Sequence, residues 1–529
     1  MDLLSGLNAP QRAAVTHDKG PLLIFAGAGS GKTRTLTHRI AYLIREHGVP
    51  PGRILAVTFT NKAAREMRER LAHLVGPDAN RLWMGTFHAL CAKMLRIHGS
   101  RIDLDPRFVI FDADDSARLM RDILREVDVD SERYAPARIL GRISDAKNNM
   151  RSPEEVAATA VRPNDRVLAR LYQRYQERLR AAHALDFDDL LLEAVRLLSQ
   201  DVESTEYWSE RFLHVLIDEF QDVNAAQFKW AQLLASKHRN ICVVGDDDQS
   251  IYQWRGANVR LILDFELSYP DATIIHLEQN YRSTQNILDA AHGVISRNLG
   301  RRPKRLWTEL TGGAQLTVHS SANAQEEATW VVRKIQDLQR ERRGKLADYA
   351  ILCRINAQSE PFERAFMHAR IPLRLVGTQR FYDRKEIKDV ISYLRVLYNP
   401  HDSEALKRII NVPPRGIGAV TIQKLEALAR DSNRSFYDVM LDDEALAELG
   451  RAVTLKIVPL RNLLEHLREK ARTAETIFAL LEQVLEATQY YEYLREEKSV
   501  AGIDRIANVQ VLLNAAQQFD ERVGDADFA

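Results

Sequence analysis

Two short stretches carry residue types that could do chemistry on a phosphate. In LLIFAGAGSGKTRT (22–35), four apolar residues lead into alternating glycines and then Lys32 and Thr33. Ala26, Gly27, Ala28, Gly29, Ser30 and Gly31 form a loop whose backbone N–H groups can converge on phosphate oxygens, at the positive end of the following helix. In such a loop the lysine reaches the β- and γ-phosphates and the Thr33 hydroxyl ligates Mg²⁺. The first position is Ala26 where the strict pattern has glycine, a mild departure. The second stretch, VLIDEFQD (215–222), supplies matching carboxylates. Asp218, ending an apolar strand, is placed to bind Mg²⁺ through water, and Glu219 to orient and deprotonate an attacking water. Together the two stretches point to a hydrolase of ATP or a similar nucleotide.

The elements that must hold these residues follow from hydrophobic patterning. PLLIF (21–25), RILAVTF (53–59), LHVLI (213–217) and NICVVG (240–245) read as short buried strands, each of the first two followed by a helical pattern. Apolar strands alternating with helices predict a parallel α/β sheet covered on both faces. Residues 89–212 read as helical, with DDSARLMRDILREV and DRVLARLYQRYQERLRAAHAL carrying charge on one face and Leu, Val or Tyr on the other. A second α/β portion is expected from about 280, with strands at AQLTVHS (314–320) and DYAILCR (348–354), and helices again after 379.

Bulk properties add boundaries. The chain has 529 residues, enough for several cores, and 74 Lys+Arg against 73 Asp+Glu, so any basic surface is local. No stretch approaches the roughly 20 apolar residues of a membrane span, and the N-terminus lacks a signal-peptide pattern. Cys91, Cys242 and Cys353 show no metal spacing and fit a reducing cytosol.

Further segments narrow the class. VTFTNKAAREMRER (57–70), GTFH (85–88), LDFDDLL (185–191), VVGDDDQSIYQWRGA (243–257), LEQNYRS (277–283), ILCRINAQS (351–359), GTQRFYDRKEIKD (377–389) and NVPPRGIG (411–418) closely resemble the UvrD/PcrA/Rep group of superfamily-1 DNA helicases. The resemblance runs over essentially the whole chain. It implies RecA-like P-loop sheet domains with inserted helical domains: 1–88 plus 213–279 as the ATP-binding domain 1A, 89–212 as inserted helical domain 1B, 280–378 as the first half of domain 2A, and 379–529 as helical domain 2B. It also implies 3′-to-5′ movement on single-stranded DNA, unwinding at single-strand/duplex junctions, and a role in bacterial DNA repair and replication, commonly nucleotide excision repair. Cytoplasmic, nucleoid-associated work with DNA-repair proteins, as a monomer or DNA-dependent dimer, follows from the same likeness.

A motor on single-stranded DNA needs aromatic faces for bases and donors for phosphates. By resemblance Trp254 and Phe59 stack on bases, with Tyr252 and Phe187 as neighbours. Thr86, His88, Asn61 and Arg255 would contact the DNA backbone or couple it to nucleotide, His88 being otherwise a core histidine. Gln249 would touch the γ-phosphate or attacking water, five residues from Trp254. Arg282 would stabilise charge on the departing phosphoryl group. Tyr281 would stack on adenine, Gln11 would read it, and Arg34 would complete the nucleotide contacts. ATP is then expected between two α/β domains, with Lys32, Asp218 and Glu219 on one wall and Arg282 on the other. The Gly416-Ile417-Gly418 turn reads either as a duplex-gripping hairpin or as a plain helix-helix turn. RRPKR (301–305) and RERRGK (340–345) read as solvated surface.

The sequence departs from the family at GDADFA (524–529): the motifs of the type TLHxxKGLEF and VxxTRA are not found. The expectation is a piece of a longer protein, whose second sheet lacks strands and exposes apolar surface. A nucleotide- and DNA-binding fragment with impaired hydrolysis is therefore the alternative, and a P-loop ATPase acting on protein or small molecules a third reading.

Overall fold

The computed structural model describes residues 2–129, 134–341, 344–355, 358–376, 384–432, 434–496 and 500–524. At its centre is a six-stranded sheet built from β1 (Leu22–Ala26), β2 (Ile54–Thr58), β3 (Trp83–Thr86), β6 (His214–Ile217), β7 (Ile241–Gly245) and β8 (Thr273–Leu277). The strand order is β3-β2-β6-β7-β1-β8, with every pairing parallel. β1, β2, β6 and β7 are buried at every residue, as their unbroken apolar runs require. Alternate residues serve two cores. Leu23, Phe25, Leu55 and Val57 enter one; Leu22, Ile24, Ile54 and Ala56 enter the other.

α1 (Ala9–Thr16) precedes the sheet, α2 (Lys32–Arg45) follows β1, α3 (Asn61–Val75) follows β2 and α4 (Phe87–His98) follows β3. Leu36 and Ile40 of α2 with Met67 and Leu71 of α3 cover one face. Phe87, Cys91 and Met94 of α4 cover the other, as do helices 187–200 and 225–234. Because all strands run the same way, their carboxyl ends share one edge, where ligands of such sheets bind. Five of the sequence motifs leave from that edge: the glycine loop from β1, Phe59 from β2, Asp218 from β6, the GDDDQ turn from β7 and Gln279–Arg282 after β8.

Two strands of this sheet were not legible in the sequence pattern. β3 (WMGT) is short and contains a glycine. β8 (TIIHL) lies at the sheet edge and is half exposed, so it lacks the continuous apolar run of its neighbours. Between β3 and β6 the chain is almost wholly helical, as expected. α5 (Ala113–Glu126), α6 (Pro136–Asn148), α7 (Pro153–Ala158) and α8 (Pro163–Ala181) pack around Leu119, Met120, Ile123, Tyr172 and Tyr175. The two-residue strands β4 (Val109–Ile110) and β5 (Ala184–Leu185) pair in parallel before α9 (Phe187–Gln200).

The chain divides into two compact units, Met1–Ala314 with Arg395–Ile410 and Gly416–Arg461, and Gln315–Leu394 with Asn411–Arg415 and Asn462–Ala529. Within the second, helices 324–340 and 359–368 share Ala328, Val332, Ile335, Phe362 and Phe366, while Ile387, Val390, Leu481, Tyr490 and Val509 form another core. The strands expected at 314–320 and 348–354 are not formed. Both segments are irregular apart from a 3₁₀ turn at Leu346–Asp348. A strand exists by virtue of its ladder, and these segments find no pairing strand among the described residues, leaving Val318 97% and Leu352 96% exposed. Residues 377–383 of the GTQRFYD segment, 356–357 of ILCRINAQS, 342–343 of RERRGK and 525–529 of GDADFA lie outside the described residues. Among the described residues no helix is long and apolar enough to cross a membrane, and Cys91, Cys242 and Cys353 are free thiols.

Candidate functional site

The phosphate loop is built by close backbone approach. Gly29 and Gly31 have φ of +70° and +86°, values that favour glycine, and Gly31 caps α2 without any side-chain hydrogen bond. The first N–H groups of α2 therefore remain open, with Lys32 and Thr33 in its first turn. A β-carbon on Gly29 would lie 2.4 Å from Asn280 Nδ2 and 2.8 Å from Arg282 Cβ, so no side chain fits there. Asn280 donates to the Ala28 carbonyl (2.6 Å) and the Tyr281 N–H donates to the Gly29 carbonyl (2.9 Å). The NYR segment thus braces the loop and sets Arg282, itself exposed, beside it.

Gln11 is buried rather than exposed. Its amide donates to the Ser30 carbonyl at 2.9 Å and its oxygen accepts from the Asn8 N–H at 3.1 Å, so it ties the start of α1 to the loop. Asn8 also donates to the Tyr281 hydroxyl at 2.9 Å. The Arg34 side chain is exposed and packs near Gly6. Ala26 ends β1 within the core, where a methyl is accommodated.

Asp218 and Glu219 leave the end of β6 in opposite situations. Asp218 is buried, and burial followed by the charge of Glu219 pushes its carboxyl up to about 7, although a hydrogen bond from the Thr33 side chain opposes this. Glu219 takes a left-handed φ of +51°, a conformation costing a non-glycine residue about 1–3 kcal/mol and concentrated at functional sites. That turn aims its carboxylate at Lys32, whose ammonium lies 3.2 Å away. Lys32 Nζ is buried and makes no well-formed hydrogen bond, so its donors are open to phosphate oxygens. Thr33 and Asp218 together offer oxygen donors beside that ammonium, a set that fits a hard divalent cation such as Mg²⁺. Burial and the Glu219 charge also raise the Asp222 carboxyl, to about 6.

Gln221, which sequence reasoning passed over, joins the two halves of the site. Its amide donates to Glu219 Oε2 at 2.9 Å and its oxygen accepts from the Asp246 N–H at 2.9 Å. Asp246 in turn accepts from Gln249 Nε2 at 2.6 Å. A cleft of about 330 Å³ is lined by Thr33, Asp218, Glu219 and Gln249 together with Phe59 and Tyr252. Phosphate chemistry and aromatic faces therefore share one cleft.

The aromatics form two groups. Phe59 stacks on Tyr252 with centroids 4.9 Å apart, Tyr252 lies 6.3 Å from Trp254, and the Arg255 guanidinium sits over both Tyr252 (5.2 Å) and Trp254 (4.6 Å). Trp254 is 68% exposed, far beyond what a core tryptophan shows. His88 meets Phe187 edge-on at 5.7 Å, and burial lowers the imidazole pKa, keeping the ring neutral. Phe187 is 51% exposed at the start of α9. Asn61 is the exposed first residue of α3, and Thr86 caps α4 through the Ala89 N–H.

Below Phe187, Asp186 caps α9 and both it and Asp189 lie 2.7 Å from Lys147, a lysine with no exposed side-chain surface. Burial pulls the Lys147 pKa down, but the two carboxylates outweigh it and hold the ammonium charged. Asp188 and Asp189 are pushed up to about 6 and about 7 by burial and then by Asp186. Gly416 and Gly418 lie in a separate turn, Gly416 at φ +69° and Gly418 capping helix 419–431. The RRPKR segment is not solvated surface as expected: Arg301, Arg302 and Lys304 are engaged with acidic residues, and Lys304 is nearly buried.

A glycine loop ending in lysine on a parallel sheet, with an acidic strand end facing it, defines a P-loop nucleotide hydrolase. Residues 7–270 match the UvrD/REP helicase N-terminal domain and residues 275–526 the UvrD-like helicase C-terminal domain. The chain belongs to the UvrD/REP helicase family. It is similar to ATP-dependent DNA helicase PcrA of Staphylococcus epidermidis, 43% identical over 519 residues, which is 98% of this chain and 71% of that protein. PcrA of Staphylococcus aureus is 42% identical over the same share of each chain.

Proposed function

We propose that the protein is an ATP-dependent DNA helicase that tracks 3′ to 5′ along single-stranded DNA and unwinds duplex at junctions, in bacterial DNA repair and replication. The observation that carries this reading is the shared cleft, which Thr33, Asp218, Glu219 and Gln249 line together with Phe59 and Tyr252. In this reading the open N–H groups of α2 and the Lys32 ammonium hold the β- and γ-phosphates. Thr33 and Asp218 would hold Mg²⁺, which supplies charge neutralisation across the phosphates. Glu219 accepts the proton of the attacking water, Gln249 orients it, and Arg282 meets the charge on the leaving phosphoryl group. Tyr281 stacks on adenine, while Gln11 holds the loop against which it lies and Arg34 flanks the triphosphate.

Phe59, Tyr252, Trp254 and Phe187 take base faces, and Asn61, Thr86, His88 and Arg255 the backbone. Movement of the GDDDQ turn on hydrolysis would then shift Tyr252 and Trp254. The Gly416–Gly418 turn contributes to duplex contact. The divisions 1A, 1B, 2A and 2B given above, a nucleoid-associated cytoplasmic setting, repair-protein partners and a monomer or DNA-dependent dimer complete the proposal. The test is phosphate release with and without single-stranded DNA. Lys32→Ala and Glu219→Gln are each expected to lower DNA-stimulated turnover by about 10²- to 10⁴-fold; turnover within threefold of the parent would contradict the site, and absence of DNA stimulation in the parent would contradict the motor.

A further inference from the structure

The GDDD turn after β7 places three carboxylates side by side. One oxygen from each of Asp246, Asp247 and Asp248 lies within 4.8 Å of the others. Such a cluster could hold a metal ion, but a lysine stands at its centre. Lys304 Nζ is 2.6 Å from Asp246 and 3.0 Å from Asp248, and it pairs also with Asp247. Its side chain is only 7% exposed, and those of Asp246 and Asp247 are 3% and 2%. Arg301 grips Asp248 bidentately with both bonds at 2.7 Å, and the Arg302 N–H donates to Asp247 at 2.9 Å. Two residues beyond Lys304, Leu306 packs on the phosphate loop, where a β-carbon at Gly27 would come within 2.3 Å of it.

One of the buried carboxylates that Lys304 holds, Asp246, is the one that positions Gln249. Asp246 accepts from Gln249 Nε2 and, through its N–H, fixes Gln221, which donates to Glu219. A continuous polar chain therefore runs Lys304, Asp246, Gln221, Glu219, with Gln249 as a branch. Surface charge alone would give no such order, since an exposed pair contributes little. Buried carboxylates deprived of their cation must protonate or rearrange.

We propose that Lys304, supported by Arg301, is a positioning residue for ATP hydrolysis, holding the GDDDQ turn so that Gln249 and Glu219 are presented together. The claim rests on the helicase reading for its catalytic consequence, but its structural part stands separately. Two readouts keep them distinct. Hydrogen exchange followed by mass spectrometry reads the turn: Lys304→Met is expected to raise exchange across residues 246–256 and leave the core strand 22–26 unchanged. Phosphate release reads the chemistry: the same variant is expected to lose roughly 10- to 100-fold in DNA-stimulated kcat with a smaller change in KM for ATP. Adding Asp247→Asn, which removes one surplus charge while leaving the Gln249 partner intact, restores both in part.

Unchanged exchange in Lys304→Met overturns the proposal, as does a loss of kcat that the second substitution fails to relieve. A parent chain without turnover would refute the helicase reading alone, and the exchange arm would still decide whether Lys304 holds the turn. Should Lys304→Met not fold, Arg301→Gln, which touches only Asp248, must show the same exchange pattern in weaker form; parent-like exchange there also overturns it.

Discussion

Replacing Asp218 by asparagine should stabilise the ligand-free protein while removing its turnover. The carboxyl of Asp218 is buried, faces the Glu219 charge, and titrates at about 7 instead of 3.8. That difference corresponds to roughly 4 kcal/mol at about 1.36 kcal/mol per pH unit, an upper bound on the cost of ionising the group in the fold. Because the folded value is raised, the native state binds the proton more tightly than the unfolded chain. The associated stability is present below the unfolded value, drains away as pH rises, and is gone above the folded value. An asparagine keeps the bond from the Glu219 N–H to Oδ1, 3.0 Å in the parent, and carries no charge. Thermal unfolding in EDTA, scanned from about pH 4 to pH 9, should show parent and Asp218→Asn coincident at the acid end. The variant should gain steadily up to about pH 7, and the gap should then stay constant. A variant less stable at about pH 8, or a gap independent of pH, would refute the electrostatic account. Retained turnover would separately remove Asp218 from the magnesium site.

Two further outcomes follow from the aromatic wall and the buried lysine. Trp254→Ala should weaken single-stranded oligonucleotide binding by about 1–3 kcal/mol, read by fluorescence anisotropy, without altering thermal stability, since the ring is already largely in solvent; unaltered affinity would favour a P-loop ATPase with a different substrate. Lys147→Met should cost about 3–5 kcal/mol in urea unfolding by stranding Asp186 and Asp189, with relief on adding Asp189→Asn; a cost below about 1 kcal/mol would mean the trio is no more than a surface pair.

The phosphate loop, the acidic strand end and the four innermost strands were legible because each is written in consecutive residues: an apolar run, glycines at fixed spacing, a carboxylate pair. What joins them was not. Gln221 stands inside a quoted motif yet carries no signature of its own, and its role emerges only when β6 and β7 lie side by side. Lys304 is further away still, 57 residues from its Asp247 partner, in a basic run whose composition suggests a wet surface. Gln11 stands in a short polar run with nothing to mark its burial, and only the fold sets it against Ser30. The expected strands at 314–320 and 348–354 show the reverse case. Their composition suits a sheet, but β-structure needs a neighbour, and local sequence cannot report whether one is available. Edge strand β8 was missed for a related reason, its outer positions being half wet.

The contact between Lys32 and Glu219 has a further meaning for an enzyme waiting without substrate. On the proposed reading the ammonium that must greet a triphosphate is, at rest, held against the group that must later act as base. Each offsets the other's charge while they wait. An incoming γ-phosphate competes for the lysine and, in winning it, unmasks the carboxylate at the moment a water needs it: the fuel itself releases the safety catch.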